Sequence, residues 1–118
     1  MTLQITRLAD ATPINPPGHT NVQPVQLQGG EHNTTDDITV ILSHYLPGGH
    51  ADADTMRSET IYVVLTGELF INSDGDETTL HTYDSVRLPA GATRVLENRG
   101  PLPTSILVIR STHTSTTD

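Results

Sequence analysis

The sequence predicts a single all-β domain of about eight or nine short strands. The apolar residues fall in short blocks, such as 38–42, 61–65 and 106–109, and glycines, prolines and polar clusters separate these blocks. No apolar pattern with the period of a helix lasts longer than about two turns. Short strands at regular spacing are typical of a sandwich or a barrel. With 118 residues, the chain has room for one such domain.

The start of the chain is irregular. Residues 9–21 contain three of the eight prolines, which interrupt helices and central strands, so we expect an N-terminal arm here. The segment Asn21–Leu27 has the apolar content of a short strand. Its internal Pro24 restricts it to the edge of a sheet, because proline has no N–H to donate. A polar loop is predicted at 29–37.

The strands that follow are better defined. They are predicted at 38–46, 59–65, 67–73, 77–82, 84–89, 93–98 and 105–111. Pro47-Gly48-Gly49 predicts a turn after the first of them, and Asp74-Gly75 predicts a tight hairpin turn. The tail, 112–118, has no apolar residue, and we expect it to be loose.

The composition narrows the classes of function. The formal net charge is −8, and the six basic residues, all arginine, do not cluster, so we expect no nucleic-acid partner. No apolar stretch approaches the roughly 20 residues that cross a bilayer, so we expect no membrane partner. The chain has no cysteine, which excludes thiolate chemistry. Residues 1–10 lack the basic start and apolar run of a signal peptide, and we expect a cytoplasmic protein.

Two segments resemble the conserved motifs of the cupin family. The stretch 58–71, in which a glutamate precedes an apolar strand that ends in glycine, resembles the first motif. The stretch 83–98 resembles the second motif, and the residues that match it are Pro89, Gly91 and Asn98. The resemblance covers about 38–110. It implies one small cupin domain over 1–118, folded as a double-stranded β-helix, the jelly-roll barrel that this family shares with RmlC.

The chain departs from the family at the metal-binding positions. Cupins that bind metal usually offer two histidines and a glutamate from the first motif and a histidine from the second. The corresponding residues here are Asp52, Asp54, Glu59 or Thr60, and Arg94. A guanidinium stays protonated and cannot ligate a metal, so we expect no metal cofactor. A divalent cation, if one binds, would use an oxygen-rich set, His50, Asp52, Asp54 and Glu59.

The sequence leaves open whether Glu59 or Thr60 faces the barrel interior. Seven residues separate Glu59 from Gly67, one more than the family motif has. Strand alternation then places Thr60, Tyr62 and Val64 inside and Glu59 outside. A β-bulge would restore Glu59 to the interior.

Arg94 is the main candidate for binding a substrate. In its strand it alternates with Leu96 and Asn98, which places its side chain in the cavity if the phase follows the family. There it would bind a carboxylate through two hydrogen bonds or form an ion pair with Glu59 or Asp54. The further substrate-binding candidates are Tyr62, Tyr45 and Thr60.

An arginine close to carboxylates predicts a small-molecule enzyme that works by acid–base chemistry on an acidic or carbonyl-containing substrate. An isomerase, lyase or decarboxylase fits this better than an iron dioxygenase. The candidates for moving protons are Asp52, Asp54, Glu59 and His50. Two alternatives stay open, a non-catalytic cupin that binds a small ligand and a cupin with an oxygen-rich metal site. The edge segment around Val22–Leu27 also suggests a homodimer, as in other cupins.

Overall fold

The computed structural model describes residues 2–114, and within them nine strands and one turn of 3-10 helix, Leu8–Asp10. The strands are β1 (Thr12–Pro13), β2 (His19–Gln28), β3 (Ile38–Thr55), β4 (Thr60–Thr66), β5 (Leu69–Ser73), β6 (Asp76–Leu80), β7 (Ser85–Leu88), β8 (Thr93–Glu97) and β9 (Thr104–Ser111). The all-β prediction is confirmed. Over the described range, no helix is long and apolar enough to cross a membrane.

Strand β3 joins the two halves of a single nine-stranded sheet that forms the barrel. Its first part, Ile38–Tyr45, pairs with β9, and its second part, His50–Thr55, pairs with β8. From there the strand order continues through β4 to β7 on one side and through β5 to β6 on the other. Strand β2 lies antiparallel to both parts of β3. The result is the jelly-roll barrel that the sequence predicts.

The bend in β3 depends on two glycines. Gly48 has a φ of +82°, and a Cβ on Gly49 would lie 2.5 Å from the carbonyl oxygen of Asn21 on β2. Only glycine therefore allows β2 to pack against the bend. The predicted turn at this place does not end the strand, because β2 pairs with β3 on both sides of it. Asp52 and Asp54 consequently lie on a strand and not in a polar loop.

Strand β1 was not predicted and lies within the expected N-terminal arm, whereas β2 and β4 to β9 begin and end within two residues of the predicted positions. Strand β2 pairs with β3 along one edge and over only two residues with β1 along the other, which agrees with the expected edge position of Pro24. Asp74 and Gly75 both have positive φ, +52° and +91°, as the hairpin turn between β5 and β6 requires.

The predicted loose tail, 112–118, lies partly outside the described residues, which end at 114. Within the structure, the backbone N–H of Thr112 donates to the carbonyl of Asp37 at 2.9 Å. The hydroxyl of Thr112 donates to the carbonyl of Asp36 at 2.7 Å. These two bonds attach the start of the tail to the loop before β3.

Asn98, one of the residues that match the second motif, has a structural role. It is buried, with 1% of its surface exposed. Its side-chain amide donates to the carbonyls of Tyr45 and Leu102 at 3.0 and 2.8 Å, and its side-chain oxygen accepts from the N–H of Gly100 at 3.0 Å. Asn98 thereby ties the turn after β8 to β3.

Gly67 is the glycine whose replacement should cost most. It has a φ of +78°, and a Cβ there would lie 2.6 Å from the hydroxyl of Thr104 and 2.8 Å from the carbonyl of Pro103. We expect Gly67→Ala to lower the free energy of unfolding by about 2–5 kcal/mol, from backbone strain plus overpacking. Gly75→Ala is the control, since Gly75 also has positive φ but no atom within 4 Å of its added Cβ.

The control, Gly75→Ala, should lower the free energy of unfolding by only about 1–2 kcal/mol, because it adds backbone strain without overpacking. Urea denaturation of the two variants and the wild type measures both losses. Equal losses at the two positions would contradict the packing argument.

Candidate functional site

An open cavity of about 110 Å³ lies at one end of the barrel, among β2, β3, β4, β8 and β9. Ile14, Pro16 and Pro17 of the N-terminal arm border it. Its polar lining consists of His19, Ser43, Tyr45, Asp54, Tyr62, Arg94 and Arg110. We call this the inner cavity, because it reaches the buried side chains of the barrel.

A second cavity, of about 380 Å³, adjoins the first and shares Pro17, Asp54 and Arg110 with it. Its other lining residues are Thr55, Met56, Arg57, Ser58 and Thr60. Thr55 and Arg57 are exposed, so we call it the outer cavity. Together the two cavities approach the size of typical small-molecule sites, roughly 300–1,000 Å³.

Arg94 lies at the base of the inner cavity, with 1% of its surface exposed. The predicted inward phase of Arg94, Leu96 and Asn98 is confirmed, since all three are buried. The Nε of Arg94 donates to the hydroxyl of Tyr62 at 2.9 Å, and Nη1 donates to the backbone carbonyl of Asp52 at 2.8 Å. These bonds use two of the five N–H donors of a guanidinium.

The expected ion pair of Arg94 with Glu59 or Asp54 is not present. Across residues 2–114, no carboxylate lies within 4.0 Å of the Arg94 guanidinium. Asp54 is its register partner on β3, but a carboxylate oxygen of Asp54 accepts from the N–H of Thr55 at 3.0 Å. A buried charge without a protein counter-ion is costly, so the charge of Arg94 favours an anion from outside.

The two buried tyrosines of the cavity differ in role. The hydroxyl of Tyr62 accepts from Arg94 and donates to the sulfur of Met56 at 3.7 Å, so it orients the guanidinium. Burial raises the pKa of Tyr45 well above its usual value, nearby Tyr62 raises it further, and the charges of Arg94 and Arg110 lower it. Tyr45 therefore stays neutral near pH 7 and offers an O–H donor to the cavity.

The structure decides between Glu59 and Thr60. Thr60 is buried, lines the outer cavity and donates to the carbonyl of Ser58 at 3.1 Å. Glu59 lies on the outer face of the barrel, where it forms an ion pair with Arg87 and its side chain is 53% exposed. A β-bulge does occur in β4, but it lies further along, between Val64 and Thr66, and leaves the alternation at the start of β4 intact.

His50 and Asp52 lie outside both cavities. The Nδ1 of His50 is 3.3 Å from the carbonyl of Gly48, and its Nε2 is 3.5 Å from the Asp52 carboxylate, with both side chains partly exposed. His50 and Asp52 flank Ala51, which is buried and pairs with buried Leu96, so alternation directs their side chains to the opposite face. A register shift against β8 then falls between Ala51 and Asp54. Asp52 contributes its backbone carbonyl to Arg94, while its carboxylate points elsewhere.

The described residues do not fit the metal that the family motif implies. Between residues 2 and 114 there is no group of three or more histidine, cysteine or acidic side chains that could hold a metal ion. The four predicted ligands are dispersed, with Asp54 in the cavity lining and Glu59 on the outer face. In addition, the fixed charge of Arg94 would repel a cation bound beside it.

Two titratable residues of the inner cavity, Arg110 and His19, were missed by the sequence analysis. Arg110 lines both cavities, and the alternation of Ile106 and Val108 on β9 could have indicated its inward phase. His19 lines the inner cavity, and its Nδ1 is 3.0 Å from the carbonyl of Pro17. A bond to a carbonyl places the proton on Nδ1, which leaves Nε2 as an acceptor. No local pattern indicates that the arm borders the cavity.

Comparisons with known proteins agree with this architecture. The family model described as the cupin domain matches residues 41–110. The β-D-galactosidase Rv1717 of Mycobacterium tuberculosis is 42% identical over 106 residues, which cover 90% of this chain and 91% of that protein.

Solved structures with low sequence identity share the fold. The polyketide cyclase RemF from Streptomyces resistomycificus matches with a TM-score of 0.82 and 14% identity, over 96% of this chain and 82% of that one. A predicted oxalate decarboxylase from Thermotoga maritima matches with a TM-score of 0.75 and 22% identity, over 89% and 96% of the two chains. At these identities the similarity concerns the fold alone.

The raised pKa of Tyr45 predicts a loss of stability at alkaline pH. Above about pH 10 a tyrosine in the unfolded chain releases its proton, whereas folded Tyr45 retains it. The unfolded state then binds fewer protons, so the free energy of unfolding falls as the pH rises beyond about 10, and the contribution is fully present below that pH.

Urea denaturation between pH 8 and pH 11 measures this slope. With rising pH, the free energy of unfolding should fall less steeply in Tyr45→Phe than in the wild type. Tyr83 is 80% exposed, so the free energy of unfolding of Tyr83→Phe should fall as steeply as that of the wild type. A decline of the same slope in Tyr45→Phe would show that Tyr45 is not its source.

Proposed function

The chain belongs to the cupin family. We propose that it is a small-molecule enzyme that works by acid–base chemistry in the inner cavity. Arg94 holds a carboxylate or carbonyl oxygen of the substrate. The observation that supports this role is the nearly complete burial of Arg94, 1% exposed, with no carboxylate within 4.0 Å in residues 2–114.

The hydrogen bonds that hold the Arg94 guanidinium in place suit it to stabilise negative charge that develops during a reaction. The Tyr62 hydroxyl and the Asp52 carbonyl fix the guanidinium before a substrate arrives. Donors that are already oriented in a low-dielectric site lose little free energy to reorganisation when charge appears on an oxygen. Removal of a proton next to a carbonyl group, with Arg94 on the resulting enolate oxygen, matches this arrangement. Keto–enol isomerisation, elimination of a group β to a carbonyl and decarboxylation of a β-keto acid can each proceed through such an enolate.

We assign proton transfer to Asp54 and His19. The carboxylate of Asp54 borders both cavities, and His19 borders the inner one with Nε2 available as an acceptor. Of the four residues that the sequence offered for this role, only Asp54 lines a cavity. A carboxylate and an imidazole are the two groups that most often move protons near neutral pH.

Hydrolysis of a β-galactoside is the second candidate, and the 42% identical relative named as a β-D-galactosidase supports it. Glycosidases usually employ two carboxyl groups on either side of the scissile bond. The lining of the inner cavity contains one carboxylate, Asp54. In this alternative Asp54 would protonate the leaving oxygen, and His19 would activate a water molecule.

The non-catalytic alternative and the homodimer stay predictions. A binding module would use the same cavity and the same arginine without turnover. For a dimer, β2 offers only the part of its outer edge that β1 leaves free, because β1 covers two of its residues. A small acidic or carbonyl-containing ligand remains the proposed partner.

Substitution of Arg94 and Asp54 tests the first candidate. Small keto and hydroxy acids are incubated with the enzyme in D₂O, and exchange of the proton next to the carbonyl or hydroxyl carbon is followed by ¹H NMR. We expect Arg94→Gln to lower kcat/KM by about 10²–10³, as for other donors to a developing oxyanion. Asp54→Asn should lower it by about 10²–10⁴, as for a general acid or base.

Arg87→Gln and Asp74→Asn are the matched controls, because Arg87 lies on the outer face and Asp74 in the β5–β6 turn. Both should retain wild-type rates. Wild-type exchange in Arg94→Gln would refute the proposed role of Arg94.

Release of nitrophenolate from 4-nitrophenyl β-D-galactopyranoside tests the second candidate. We expect hydrolysis, if it occurs at this site, to fall by about 10²–10⁴ in Asp54→Asn and in His19→Gln, because each removes one proton-transfer group. Hydrolysis without exchange would favour the galactosidase over the first candidate. Hydrolysis that persists unchanged in both variants would place that activity outside the inner cavity.

A further inference from the structure

The arginines are distributed unevenly for a chain of net charge −8. On the surface, Arg87 pairs with Glu59, and Arg99 pairs with Glu97 at 3.0 Å, whereas exposed Arg7 has no carboxylate within 4.0 Å in the described residues. Neither ion pair borders the two cavities. None of the three arginines there has a carboxylate within 4.0 Å in the described part of the chain, and these three are Arg57, Arg94 and Arg110.

Two of these arginines line the outer cavity. Arg110 on β9 is the register partner of Thr60 on β4, and the side chain of Thr60 is buried on the interior side. Arg57 belongs to the link between β3 and β4 and is exposed. Ser58 and Thr60 add hydroxyl groups to the same lining. The outer cavity therefore combines two guanidinium groups with several neutral hydrogen-bonding groups.

We propose that the outer cavity binds a carboxylate of the substrate through Arg57 and Arg110. The inference rests on the proposed function, because the same molecule would place its reacting oxygen at Arg94. The cavities meet at Pro17, Asp54 and Arg110, so one ligand can extend from one into the other. The substrate class is then a small organic acid with a carbonyl or hydroxyl oxygen besides the carboxylate.

Electrostatics supports this assignment. A chain with fourteen acidic and six basic residues repels anions over most of its surface. Two unpaired guanidinium groups at one opening produce a local positive potential that attracts an acid. Arginine also binds a carboxylate through two parallel N–H bonds, which fixes the orientation of the ligand as well as its position. Asp54, the one carboxylate in the lining, would face the uncharged part of such a ligand.

Residue-resolved NMR titration of the ¹⁵N-labelled protein tests the proposal. Galacturonate and galactose are the probes, because they differ only in a carboxylate that replaces a hydroxymethyl group. We expect galacturonate to bind at least about tenfold more tightly and to shift the amide resonances of residues 57–60 and 110. Arg57→Gln and Arg110→Gln should each abolish most of this preference for the carboxylate. The matched control, Arg87→Gln, should retain it.

Three outcomes would overturn the proposal. One is equal affinity for the two sugars, or the absence of any shift at residues 57–60 and 110 with galacturonate or with malate as a second acid. Another is an equal loss of galactose and galacturonate binding in both outer-cavity variants. The third is a preference for galactose 1-phosphate over galacturonate, which would assign the cavity to a phosphate group.

The readouts separate this inference from the proposed function. If the proposed function is wrong, Arg94→Gln will exchange protons at the wild-type rate. Binding of a carboxylate in the outer cavity is measured at residues 57–60 and 110, in a protein whose Arg94 is intact. The two results therefore do not depend on one another.

Discussion

The buried guanidinium of Arg94 is the constraint on which the site depends. A charge that is removed from water must be compensated, and within the described residues the protein supplies only a tyrosine hydroxyl and a backbone carbonyl. The neighbouring structure is arranged around these two bonds. Tyr62 projects inward from β4, and the register shift between Ala51 and Asp54 leaves the Asp52 carbonyl free to accept from Arg94. The position that a metal-binding histidine occupies in other cupins thus holds a fixed cation.

Arg94 lines the inner cavity of the barrel although it is buried. Strand β3 bends at Gly48 and Gly49 between the part that pairs with β9 and the part that pairs with β8, and β2 follows it through the bend. The proline-rich arm, which precedes β2, forms one wall of the inner cavity. The fold therefore provides a rigid site on strands and a border made by a segment with little regular structure.

The distribution of charged residues around the cavities indicates which class of ligand the site favours. In an acidic chain, carboxylates are abundant enough to pair with every arginine, and on the outer surface Arg87 and Arg99 have such partners. The charged and polar lining of the two cavities consists mainly of guanidinium groups and neutral hydroxyls, with one carboxylate. Such a set favours an acidic small molecule, and Asp54 and His19 supply groups that can exchange a proton with it.

The sequence by itself determined most of the strands, the inward phase of Arg94, Leu96 and Tyr62, and the unusual chemistry at the metal positions. These properties follow from alternation along single strands, which is local. Only the tertiary structure decided that no β-bulge returns Glu59 to the interior, turned the Asp52 carboxylate away from the cavity, and brought His19 into it. Those outcomes depend on β-bulges and on pairing between segments that are distant in the chain, and no local pattern specifies either of them.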